Sequence, residues 1–420
     1  MIEKYRLKNG LTVLLEPVES VVSISAGLWI KAGSRHERNS EKGYAHFIEH
    51  MLFKGTENFT AKEIAQVVDR VGGQHNAVTN REYTSYFINV ISDFLEPSVE
   101  LLSDMYYRSL FSSSDIEREK NVIIEEIGMY EDAPDEIIHD IFMETMLCNH
   151  PLGNPILGTA DSIMNVNRDT ILGFFNRHYA SSNSIFVIAG KFNVDEAKAK
   201  IEKYFSKNLN NNKHQELDSH LFTKREYRKH VQRDLEQIHF CLGTEGLKKD
   251  DEDRWALFIL STILGGSMSS RLFQNIREKE GLCYSIYSFH SSYTDNGVFG
   301  IYCGTSPENH KRVLELIIDE CREIVANGIT TSELDDVKAY IKGNLALSLE
   351  STEVRMGQLA RNEMTYGRYY TFEDVMLELN SVKMDDFNRV CNNILKDKRL
   401  TIVSLGKLKD KGYNSADFYI

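Results

Sequence analysis

Apolar and polar positions alternate along this chain in two rhythms. Tyr5 to Glu16 holds two short apolar stretches around Asn9-Gly10, the strongest short-range hairpin signal, and Val22 to Ile30 follows as the next strand. From Gly43 to Phe53, and again from Ala61 to Val71, apolar residues recur at three and four, so both segments are predicted helices. Thr60 is placed to cap the second, with Glu63 at the capping-box position and Gly72-Gly73 at its end. Asn76 to Val90 reads as a strand, one expected at a sheet edge. Phe94 to Leu110 is helical, and Ser114 to Glu131 is a long helix capped by Ser114.

Lys207 to Lys229, rich in Asn, Lys, His and Glu, loses this periodicity and predicts a linker, placed at 213–228 between halves 1–212 and 229–420. Beyond it the order of elements repeats. Gln237 to Leu242 takes the place of the strand within Val22 to Ile30. Trp255 to Leu264 takes the place of the Tyr44 to Phe53 helix under a shift of 211 residues without gaps. A strand pair (Leu282 to His290, Val298 to Gly304) and helices at His310 to Ala326 and Ser332 to Leu349 complete the parallel. The expected fold is α+β: two similar α/β-sandwich halves related by internal duplication, each a mixed or antiparallel sheet with helices on one face, meeting across a cleft.

Composition narrows the partners. With 420 residues and 42% hydrophobic content the chain can build its cores without disulfide staples. A formal charge of −13 makes nucleic acid and anionic membranes poor partners. No apolar run reaches the ~18 residues that cross a bilayer, and the start lacks the pattern of a signal or transit peptide, so the cytoplasm is the expected location. The six cysteines (148, 241, 283, 303, 321, 391) lie far apart, as reduced thiols rather than a disulfide framework or zinc knuckle.

The candidate chemistry sits at His46-Phe47-Ile48-Glu49-His50. Residues four apart on a helix project from one face, so both imidazoles can grip one zinc ion. Glu49, at the edge of that face, can reach a water on the metal; the order is the reverse of His-Glu-x-x-His. Random placement of His and Glu would give this spacing on the order of 0.03 times per chain, which sets aside two histidines that merely share a core face. A catalytic zinc needs a third ligand and an open position. The Ser114 to Glu131 helix offers several carboxylates; Glu119 and Glu126 share one stripe, and spacing alone does not choose Glu126 over Glu125.

Gly43-Tyr44-Ala45-His46-Phe47-Ile48-Glu49-His50-Met51-Leu52-Phe53-Lys54-Gly55-Thr56, with Gly72-Gly73, Asn76-Ala77 and Glu119 to Glu126, resembles the pitrilysin-type (inverzincin) metallopeptidases over nearly the whole chain. The likeness is to the branch of mitochondrial processing peptidases and their bacterial homologues. It implies Glu126, 76 residues after His50, as third ligand of one Zn2+ per chain, and Glu119 as its support. It implies that Glu49 activates water for peptide hydrolysis, assisted by Arg277 and Tyr284 of the second half. Asn76 and Ala77 then belong to an edge on which the peptide adds as a β-strand, Phe53 lines the pocket beyond the cut, and Glu136 and Asp140 receive an Arg near it. His46, Glu49 and His50 shift onto Leu257, Leu260 and Ser261, which cannot bind zinc, so the second half has another task. A homodimer is implied as well. The alternatives are a general oligopeptidase without a processing role and a non-catalytic peptide-binding scaffold.

Overall fold

The computed structural model describes residues 2–148, 150–206, 228–396, 398, 400–408 and 420. Eleven strands are described: β1 (Glu3–Arg6), β2 (Thr12–Pro17), β3 (Ser23–Ile30), β4 (Gln74–Thr79), β5 (Thr84–Ile91), β6 (Ser184–Gly190), β7 (Arg228–Gln232), β8 (Ile238–Gly246), β9 (Cys283–Ser292), β10 (Gly297–Thr305) and β11 (Thr401–Gly406). They form two mixed sheets, ordered β1-β2-β6-β3-β5-β4 and β7-β11-β8-β10-β9. Without β1 the orders correspond strand for strand. β2 runs parallel to β6 as β7 does to β11, and every other neighbouring pair is antiparallel. The repeat in the sequence is thus a repeat of topology, with β3 matching β8.

Both faces of the first sheet are covered, which explains its unbroken apolar strands. Ile24, Ala26, Leu28 and Ile30 of β3 and Phe186 and Ile188 of β6 join the main core with Phe47, Ile48, Met51 and Leu52 of the Tyr44–Leu52 helix. The alternate residues Trp29, Ile185, Val187 and Ala189 pack against Met356, Leu359 and Ala360 of the Thr352–Tyr366 helix. Polar ties anchor that helix: Ser25 Oγ lies 2.9 Å from Thr352 Oγ1, and Arg355 donates to Glu16 at 2.7 Å. The second sheet has its own opposite-face helix, Pro134–Met146, whose Ile138 and Phe142 cluster with Cys241, Val298 and Tyr302. On each sheet a helix therefore also packs on the face opposite the expected helical layer.

The two compact units are consequently discontinuous. The described residues of Met1–Met129, Asn154–Asp218 and Ser348–Tyr369 form one, and those of Tyr130–Gly153, Ser219–Leu347 and Tyr370–Ile420 the other. Periodicity shows that a helix is amphipathic and not which sheet it covers, so the simple division 1–212 and 229–420 could not contain this exchange. The linker placed at 213–228 lies outside the described residues except for Arg228, which begins β7.

Two local expectations need correction. The strand read over Asn76 to Val90 is a hairpin, closed where Asn80 N–H donates to the Tyr83 carbonyl at 2.8 Å. The polar run Asn80-Arg81-Glu82 carries the turn, and only β4 is the edge. The long helix spans Ser113–Glu131 and is capped by Ser112 rather than Ser114. Ser112 Oγ accepts from the Asp115 amide at 3.2 Å, and its carbonyl accepts from Ile116 at 3.0 Å. Three successive serines made the cap ambiguous.

Candidate metal centre

The motif helix begins sharply. Gly43 has φ +86°, and a Cβ there would lie 2.6 Å from the Leu157 carbonyl, so glycine is required. Glu37, buried, accepts from the Gly43 amide at 2.9 Å and the Ala45 amide at 2.8 Å and satisfies the first turn. Burial pushes the Glu37 carboxyl from 4.5 up to about 8, although the amides of Ala45 and Gly43 pull it back. The folded state then keeps this proton to higher pH than the unfolded chain. Its contribution is complete below pH 4.5 and is lost as pH rises through about 8. The Tm advantage of wild type over Glu37→Gln should shrink between pH 5 and pH 8 in a calorimetric series; an advantage that grows over that range contradicts this assignment.

Burial of Phe47, Ile48, Met51 and Leu52 fixes the rotation of the helix and leaves His46, Glu49 and His50 on its functional side. The two imidazole centroids lie 4.6 Å apart. Glu126 approaches from the Ser113–Glu131 helix, with Oε1 3.6 Å from His46 Nε2 and Oε2 3.4 Å from His50 Nε2. Two ligands at ~2.1 Å from one tetrahedral zinc are about 3.4 Å apart, so these gaps fit an intervening ion better than direct hydrogen bonds. The donor set, two imidazole nitrogens and a carboxylate oxygen, suits zinc. Burial and the neighbouring His50 push His46 down to about 3, which keeps its ring neutral with a lone pair to give. Its Nδ1 is buried without a hydrogen-bond partner, so packing alone orients this ring.

His50 is held differently. Its Nδ1–H donates to Glu119 Oε2 at 3.1 Å, which directs Nε2 towards Glu126, and Glu119 Oε1 accepts from Lys54 Nζ at 2.7 Å. Burial opposes the charge on Glu119, but the His50 and Lys54 bonds hold its carboxyl below the usual range. Loss of such a support typically costs about 10- to 100-fold in metal affinity. That is the expected effect of Glu119→Ala in a competitive chelator titration.

Glu49 is mostly buried, and its carboxylate accepts from the hydroxyl of Thr79 at the end of β4. Burial raises its carboxyl above the ordinary range, and the Thr79 hydroxyl and His50 partly offset this. Phe53 follows the helix, its ring 5.4 Å from that of His75 on the same edge strand. Asn76 is exposed, its Oδ1 accepting from the Ala77 amide at 2.9 Å, and Ala77 lies opposite Tyr86.

The other expected residues belong to the second unit. Arg277 and Tyr284 come together, the guanidinium 4.9 Å from the Tyr284 ring centroid and 4.5 Å from that of Phe273. Tyr284, at the start of the edge strand β9, is 77% exposed, which is no core position. Glu136 is exposed and Asp140 half-buried on the Pro134–Met146 helix. At the places matching the metal motif, Leu257 and Leu260 are buried core and Ser261 Oγ lies 3.2 Å from Ser288 Oγ. Among the described residues no other trio of His, Cys, Asp or Glu side chains converges as His46, His50 and Glu126 do.

Sequence reasoning missed Glu37, Lys54 and Thr79. Lys54 stands four residues beyond His50, one turn further, and that spacing could have found it. Glu37 and Thr79 act through contacts between elements, for which a single sequence carries no periodic signal.

Residues 12–160 match the family described as Insulinase (Peptidase family M16), and 165–341 match the Peptidase M16 inactive domain. The zinc protease YmxG of Bacillus subtilis, described as uncharacterized, is 40% identical over 407 residues, covering 96% of this chain and 98% of that one. A zinc protease of Streptomyces coelicolor, also described as uncharacterized, is 35% identical over 98% of this chain and 90% of its own. A protease from Helicobacter pylori has the same fold, with a TM-score of 0.89 and 26% identity over 97% of this chain and 99% of its own. Taken with the clustered donors, these likenesses define a zinc-dependent protease with a duplicated fold. The chain belongs to peptidase family M16, the pitrilysin-type zinc metallopeptidases. Among the described residues no helix is long and apolar enough to cross a membrane.

Proposed function

We propose that this chain is a zinc endopeptidase in which His46, His50 and Glu126 hold the metal and Glu49 is the general base. The observation that carries the reading is the 3.4–3.6 Å spacing of Glu126 from the two Nε2 atoms, the separation of ligands that share one ion. When bound, zinc supplies a Lewis acid that lowers the pKa of a water towards ~7 and polarises the scissile carbonyl. Glu49 takes a proton from the water as its oxygen attacks the carbonyl carbon. It then gives that proton to the departing nitrogen as the C–N bond breaks. Glu119 holds His50 in the tautomer whose Nε2 is free to ligate.

The peptide is read as an added strand on β4 at Asn76 and Ala77, where hydrogen bonding to the outward-facing Ala77 backbone tolerates many sequences and Phe53 shapes one pocket. Arg277 and Tyr284 serve as donors to the substrate; the exposure of Tyr284 and its contact with Arg277 support a functional rather than a packing role. Glu136 and Asp140 prefer an Arg near the cut through a carboxylate fork. The active form is a homodimer, which sedimentation of the purified chain tests directly.

The test of the substrate reading is cleavage mapping on extended peptides with and without Arg near the scissile bond, before and after zinc removal. Zinc-dependent internal cuts that favour the Arg peptides support the reading. Equal rates on both sets point to a general oligopeptidase, and no zinc-dependent cut on either points to a scaffold.

A further inference from the structure

We propose that Thr79 is the positioning residue that fixes Glu49 at the end of the substrate-binding edge of β4, so that the strand that receives the peptide also aims the base. The inference rests on the peptidase reading above.

Asn80 and Tyr83 form the last bonded pair of the β4–β5 hairpin, through the 2.8 Å bond from the Asn80 amide. In an antiparallel ladder bonded and non-bonded pairs alternate. Thr79 opposite Thr84 and Ala77 opposite Tyr86 are therefore non-bonded pairs. Their N–H and C=O groups turn away from β5 to the free edge. The Ala77 amide is covered only by the neighbouring Asn76 side chain, at 2.9 Å, a cover that an incoming strand can replace. At the next edge-facing residue the Thr79 hydroxyl donates to the Glu49 carboxylate.

A peptide that adds to β4 can thus pair at Ala77, and Thr79, two residues further on and about 7 Å along the strand, holds Glu49 beside it. Thr79 is buried, whereas Asn76 and Val78 on the same strand are exposed, so its side chain points inward to the motif helix. A hydroxyl fixed on a buried strand residue restricts where the carboxylate can sit. A base misplaced by about 1 Å can lose about 100-fold in rate.

Thr79→Val keeps the β-branched shape and removes the hydroxyl; Thr79→Ser keeps the hydroxyl. The expected result for Thr79→Val is a fall in kcat of roughly 10- to 100-fold, with KM within about threefold of wild type and zinc still at one per chain. Thr79→Ser should recover kcat to within about threefold. In the Glu49→Gln background, adding Thr79→Val should leave the Kd for a fluorescent substrate peptide unchanged, since the hydroxyl holds the base and not the peptide. Unchanged kcat in Thr79→Val, an equal loss in Thr79→Ser, or a loss confined to KM overturns the role. If Thr79→Val does not fold, Thr79→Ala against Thr79→Ser poses the same question. The two levels separate cleanly. Wild-type hydrolysis that survives zinc removal, or Glu49→Gln with normal turnover, sinks the peptidase reading itself. Normal kcat in Thr79→Val, on a wild type that passes both tests, removes only Thr79.

Discussion

Glu49→Gln should retain one zinc per chain and hydrolyse peptides about 10²- to 10⁴-fold more slowly than wild type, the usual worth of a general base. The substitution preserves shape and leaves an oxygen to accept from Thr79, so neither the fold nor the position of the side chain should change. Glu49 is also outside the cluster formed by His46, His50 and Glu126, so the metal site keeps all its donors. What is lost is the ability to take and return a proton. The deficit should therefore fall on kcat, with KM little affected. Metal analysis and steady-state kinetics on the same preparation check both halves of the statement. A variant with wild-type turnover would remove Glu49 from the reaction, and a variant without zinc would recast it as a structural support of the site.

The second large effect is expected at Glu126. Glu126→Ala removes one of three donors while touching little else, because that side chain is 42% exposed. Zinc content should fall well below one per chain, and kcat/KM should fall by about 10³-fold or more, since a Lewis acid contributes several kcal/mol and each 1.4 kcal/mol is tenfold. Zinc bound only by the folded state raises Tm by mass action. Added zinc should therefore stabilise the wild type in a thermal melt and leave the variant unmoved. A variant that keeps zinc, activity and the zinc-dependent shift would move the third ligand elsewhere, with the exposed neighbour Glu125 as the next candidate.

Much of this site was legible in the sequence because its parts lie within elements. His46, Glu49 and His50 share one helix, and Glu119 and Glu126 share another, so helical spacing placed each set on one face. The duplication was legible for the same reason: β3 and β8 and the helices that follow them keep their order. Spacing could not say which of Glu125 and Glu126 faces the histidines, because that depends on how Ile116 and Ile123 seat their helix in the core. Nor could it show that the Pro134–Met146 and Thr352–Tyr366 helices each cover the sheet belonging to the other half of the sequence. An amphipathic stripe states that a face is buried and is silent about what buries it. Thr79 was hidden for a related reason. Its partner is 30 residues away on another element, and a threonine near the end of a strand is unremarkable until the hairpin register is known.

Zinc-edge X-ray absorption on the purified protein is the sharpest check that one zinc ion sits among His46, His50 and Glu126. The expected result is one zinc per chain with two imidazole nitrogens at ~2.0–2.1 Å, a carboxylate oxygen at ~2.0–2.2 Å and no sulfur. His46→Ala should lower the nitrogen count or abolish binding. A shell containing cysteine sulfur at ~2.3 Å, or one that His46→Ala leaves unchanged, would contradict this placement of the metal.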